Sequence, residues 1–103
     1  MTFASECSIP STHPSLEGHF PDNPVIPGVV LLEEVLTVLK EWSPGARVHG
    51  FQAVKFLQPV TPGSPFTVDL EQTGPGIVKF KCHTGELLLN TGTIILGPLQ
   101  KTS

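Results

Sequence analysis

The chain has 103 residues, a formal net charge of −3 and 15% charged residues. A single domain of that length buries a limited core, which favours an oligomer, and the charge excludes a strongly basic nucleic-acid binder. No apolar run is long enough to span a bilayer, no signal peptide opens the chain, and Cys7 and Cys82 form no CxxC pair. A reduced, cytoplasmic, membrane-free protein is expected.

Thr2 to Ile9 alternates weakly, with Phe3, Cys7 and Ile9 on one face, and predicts a short strand that Pro10 ends. Ser11 to Pro27 is loop, rich in Pro, Ser and Gly. Within it Pro21, Pro24 and Pro27 each fix φ near about −65° and push the preceding residue toward extended backbone, so His19 is held in a stiff segment. Pro27 is expected in the first helical turn, where a missing N–H costs nothing, and Gly28 follows with no side chain. A helix start offers unpaired amide donors and a partial positive charge, and the absence of a Cβ lets a ligand come close to the Gly28 N–H. Those properties suit an oxyanion.

The helix is predicted from Pro27 to Trp42, stopped by Ser43-Pro44-Gly45. At about 100° per residue, Glu33, Glu34, Thr37, Lys40 and Glu41 share one polar arc, and Leu31, Leu32, Val35, Leu36, Val38, Leu39 and Trp42 fill the rest. Glu33 lies at the edge of the polar arc beside Val29 and Leu36; most carboxylates so placed are simply solvated. Arg47 to Gln58 reads as a longer strand, closed by a turn from Pro59 to Ser64. The clearest alternation follows, with Phe66, Val68 and Leu70 set against Thr67, Asp69 and Glu71. Gly74-Pro75-Gly76 turns it into Val78, Phe80 and Cys82 against Lys79, Lys81 and His83, and Thr84-Gly85 turns again into Glu86 to Leu96. Strand, helix, then four antiparallel strands is an α+β order.

The run GHFPDNPVIPGVVLLEE, Gly18 to Glu34, resembles the signature of the β-hydroxyacyl-acyl-carrier-protein dehydratases: an HFP tripeptide at His19-Phe20-Pro21, a PVxPG turn at Pro24 to Gly28, and Glu33 fourteen residues after His19. VKFLQPVTPG, Val54 to Gly63, resembles the KF..PV.PG strand and turn of the same family. The two blocks span about a quarter of the chain, the first being the more specific. The resemblance implies a hotdog fold, an antiparallel sheet wrapped around one long helix, over residues 1 to 103. It also implies sites shared between the two subunits of a homodimer, and dehydration of 3-hydroxyacyl thioesters on acyl carrier protein in fatty acid or polyene-type biosynthesis. A noncatalytic hotdog subunit, binding acyl carrier protein or pairing with an active partner, is the alternative.

The roles implied for this sequence follow from the chemistry. The C2 proton of a 3-hydroxyacyl thioester is weakly acidic, so a base must be close, and the charge growing on the thioester oxygen must be stabilised. His19 would be the base, the Gly28 N–H would hold the oxygen, and Glu33 would deliver or position the proton that lets hydroxide leave. No metal, redox cofactor or nucleotide is required.

Two departures from the family pattern lie on the helix, where a small residue and a Gln are usual and Glu34 and Thr37 stand; Thr37, one turn on, is expected to hydrogen-bond Glu33. Carrier proteins are acidic, and Arg47 and Lys55, with Lys79, Lys81 and Lys101, are the expected docking charges. His13, Glu17 and His19 make a weak metal set. His49 and His83 read as structural, and Phe51, Phe56, Phe66 and Phe80 as core, one or two of them lining an acyl tunnel.

Overall fold

The computed structural model describes residues 1–10 and 25–97. They form β1 (Thr2–Cys7), α1 (Gly28–Trp42), β2 (Val48–Phe56), β3 (Phe66–Gly74), β4 (Ile77–Thr84) and β5 (Leu87–Leu96). The strands make one antiparallel sheet in the order β1-β3-β4-β5-β2, the expected α+β arrangement with a single helix against the sheet.

The alternation read from the sequence decides which face meets the helix. Phe66, Val68 and Leu70 of β3 and Val78, Phe80 and Cys82 of β4 are buried with Val30, Leu31, Val35, Val38 and Leu39 of α1 in one core. Burying a side chain of this size contributes roughly 1.5–3 kcal/mol, so the shared face fixes the register of both strands. Phe3 stacks on Trp42 at 6.1 Å and ties β1 to the end of the helix. On the other face Asp69 lies across from Lys81, and Glu71 from Lys79. Gly92 stands opposite Phe80, and a Cβ there would come within 2.5 Å of the Phe80 ring, so only glycine leaves the ring its place.

Two details differ from the expectation. β1, β2 and β5 are shorter at one end or both while β3 runs on through Gly74, and Pro27 precedes the helix with φ −59° and ψ 144° instead of lying in its first turn. Its carbonyl accepts the N–H groups of Val30 at 3.0 Å and Leu31 at 3.3 Å, which is what a helix-capping residue does. His83 is structural, as expected: Nε2 lies 2.5 Å from Asp69 Oδ2, and Nδ1 lies 3.1 Å from the Gly85 carbonyl oxygen.

β2 is an edge strand and the most open one. Its pairing with β5 shifts register twice, and Ala53 sits in the second shift with φ 52°, a conformation that favours glycine. Of its two phenylalanines, Phe51 packs edge-on to Phe80 at 6.0 Å. Phe56 is 51% exposed and does not belong to the core; of the two places expected for the phenylalanines, the core or the wall of a tunnel, the first does not hold for it.

A bulge in β5 has a similar consequence. Cys82 pairs with Asn90 but His83 with Leu88, so Leu89 is the extra residue, and both Leu89 and Asn90 are buried. The Leu89 carbonyl oxygen accepts the N–H groups of Leu57 at 2.9 Å and Gln58 at 3.1 Å. Among the described residues Asn90, 1% exposed, has no hydrogen-bond partner for either Nδ2 or Oδ1.

Candidate active site

The helix start, expected to serve as an oxyanion site, is built as a groove. The Ile26 N–H donates to the Val60 carbonyl oxygen at 2.8 Å, and both side chains are buried, which staples the segment before α1 to the segment after β2. Between them lies a groove of about 440 Å³, lined by Val25 to Gly28, Leu31 and residues 56–60. Gly28 is the first residue of α1, so its N–H is one of the donors that no helical carbonyl reaches. The lining is apolar apart from the backbone and the Gln58 carboxamide, and a donor beside apolar walls acts on a nearby charge more strongly than one in bulk water.

Glu33 lies five residues beyond Gly28. That spacing turns it about 140° around the axis and about 7.5 Å along it, so it does not line the groove of its own chain. It is exposed, on the side of the helix where Val29 is 63% exposed and Leu32 and Leu36 are half-buried. The Thr37 hydroxyl donates to the Glu33 carbonyl oxygen at 3.1 Å; the bond expected between these residues exists, but on the backbone and not on the carboxylate. Glu34, about 100° further round the helix, is half-buried and lies near the Cys7 thiol.

His19 lies outside the described residues, as do His13, Glu17 and Lys101. Among the described residues no group of three His, Cys, Asp or Glu could hold a metal ion. None of the described helices is long and apolar enough to cross a membrane.

Arg47 and Lys55 are both exposed but stand eight residues apart along the edge of the sheet, roughly 25 Å in extended chain. Lys55 instead shares a second, larger hollow of about 660 Å³ with Lys79, Lys81, Asp69 and Glu71 on the face away from the helix. What the sequence missed is the place of Phe56, whose ring rests on Gly28; a phenylalanine in a strand reads equally well as core.

A model of the family described as ApeI-like, ApeI dehydratase, matches residues 1–92. The chain is 35% identical over 83 residues to the 3-hydroxyacyl-[acyl-carrier-protein] dehydratase FabZ of Polynucleobacter asymbioticus, a match covering 71% of this chain and 56% of that one. It is 38% identical over 76 residues to the FabZ of Lactococcus lactis, covering 66% and 47%. The chain therefore spans about half the length of the curated relatives it matches. Among solved structures, a chain of the dehydratase heterocomplex ApeI:P from Xenorhabdus doucetiae superposes with a TM-score of 0.82 at 22% identity, over 94% of this chain and 88% of that one. The (R)-hydratase of A. caviae superposes with a TM-score of 0.70 at 17% identity, over 93% and 92%. These likenesses place the fold among the hotdog proteins.

Proposed function

This chain belongs to the ApeI-like dehydratase family, and on that premise we propose that it removes water from 3-hydroxyacyl thioesters carried on acyl carrier protein, yielding trans-2-enoyl thioesters. The observation that carries the reading is the apolar groove that opens at Gly28. There the Gly28 N–H would hold the thioester oxygen while His19 takes the C2 proton, and Glu33 would supply the proton with which the C3 hydroxyl leaves as water. The placement of Glu33 supports a shared site: lying outside its own chain's groove, it would serve a groove in a second subunit. The exposed Val29 and Leu57, with the half-buried Leu32 and Leu36, offer apolar surface for that subunit, in a homodimer. Lys55, Lys79 and Lys81 are the charges best gathered to steer an acidic carrier, with Arg47 apart from them.

A second reading is favoured by one observation. A structural neighbour is a chain of a dehydratase heterocomplex, so the same apolar surface would suit a different hotdog chain, with this one as a noncatalytic or half-site partner. Incubation of the purified protein with 3-hydroxyacyl carrier proteins of several chain lengths, read by mass spectrometry for loss of water, tests both. Water loss by the protein alone supports the homodimeric enzyme; no loss at any length removes it and leaves the paired reading.

A further inference from the structure

Phe56 closes β2, and its backbone is followed at once by two N–H groups pinned to the Leu89 carbonyl oxygen. Its ring reaches across to the first residue of α1. A Cβ built on Gly28 would stand 2.6 Å from Phe56 Cζ and 2.9 Å from Cε2, so the bare Gly28 Cα is the seat of the ring. Phe66 and Phe80, buried to within 2% of full cover, fill the core; Phe56, its ring against Gly28, stays 51% exposed. Its open face lines the groove that begins at Gly28, next to the apolar Ile26, Leu31 and Leu57. An aromatic ring fixed beside a hydrogen-bond donor, with one face left to a groove, provides a flat contact surface at low entropic cost.

We propose that Phe56 is a substrate-contacting residue that sets acyl-chain preference: its ring, seated on Gly28, packs against the acyl carbons next to the thioester carbonyl and narrows the groove there. The inference rests on the dehydratase reading and names a determinant of its substrate class. Short chains draw most of their apolar contact from this ring, whereas long chains reach other walls, so removing the ring penalises short chains first.

The test compares wild type, Phe56→Leu and Phe56→Ala on 3-hydroxybutanoyl, 3-hydroxyhexanoyl and 3-hydroxydecanoyl thioesters, with the subunit count checked by light scattering. Phe56→Ala is expected to lower kcat/KM on the shortest substrate about tenfold, mainly through KM. It should leave the longest within about threefold and keep the assembly of the wild type, with Phe56→Leu in between. Equal losses at every length, an unchanged profile, or dissociation of the assembly overturns the proposal, the last because the ring would then be an intersubunit contact. If the wild type turns nothing over, the dehydratase reading fails separately, and calorimetric titration with saturated acyl-pantetheines decides the role of Phe56. Weaker binding of short chains by Phe56→Ala keeps the role, and equal binding, or none by the wild type, removes it.

Discussion

The Thr37 hydroxyl donates to the carbonyl oxygen of Glu33 at 3.1 Å, one turn back along α1. A hydroxyl committed to its own helix does not orient the Glu33 carboxylate, and such a bond contributes little to an exposed helix. Thr37→Val should therefore leave dehydration within about twofold and stability within about 0.5 kcal/mol. Steady-state rates and urea unfolding check it; a tenfold loss of turnover at unchanged stability would give the hydroxyl a role that this geometry denies.

Asn90 is enclosed beside the Cys82 thiol, its nearest polar neighbour, with neither amide atom in a hydrogen bond of normal geometry among the described residues, and a buried polar group so left costs about 1–3 kcal/mol. Asn90→Leu, close in volume and free of the polar atoms, should raise the urea midpoint by an amount within that range. A lower midpoint would mean that the carboxamide has partners in solution. If stability rises while turnover falls, the amide serves the reaction at a cost in stability.

How much of this was legible depends on where each residue sits. The alternation Phe66, Val68, Leu70 and its counterpart in β4 was readable because both strands lie inside the sheet with one face on the helix. Phe56 was not: β2 is an edge strand whose period is broken at Ala53, and the contact that places its ring is with a residue 28 positions earlier. Asn90 was hidden for a related reason, since the bulge at Leu89 buries two successive residues where strict alternation buries one. The candidate site was half legible. Gly28 could be placed at the helix start from Pro27 alone, whereas the separation of Glu33 from the groove depends on where the groove lies.

The cysteines give a dependence on pH. Burial first, then the Glu34 carboxylate, pushes the Cys7 thiol up to about 11. Burial first, then Cys7, pushes Cys82 up to about 12. Below the ordinary value of 9.0 both are protonated whether the chain is folded or not, and their contribution to stability is fully present. As pH rises past 9.0 the unfolded chain releases protons that the folded chain retains, so stability falls between pH 9.0 and about 12. Urea midpoints should decline over that window, less steeply in Cys82→Val. At pH 8 neither thiol should react with a disulfide reagent until urea is added, and rapid labelling of the native protein would contradict the burial of both.

The last prediction concerns the two side chains assigned to proton transfer. If His19 takes the C2 proton and Glu33 supplies one to the hydroxyl, His19→Ala and Glu33→Gln should each lower turnover on the order of 10²-fold or more. Glu33 is exposed and outside the core, so its loss should leave the fold intact. Because Glu33 points away from the groove of its own chain, the sharper test is to mix the two variants. In a co-refolded pair of one His19→Ala and one Glu33→Gln chain, a site built across the interface takes its histidine from one chain and its glutamate from the other. One of the two sites then carries both wild-type groups, and about a quarter of wild-type activity should return if chains pair at random. With half of the pairs mixed and one of two sites restored in each, that fraction follows from counting alone. No recovery, although native mass spectrometry shows the mixed pair, would put His19 and Glu33 in one chain's site or remove one of them from the chemistry. Near wild-type rates in either single variant would deny the run from His19 to Gly28 a part in the chemistry and favour the noncatalytic reading.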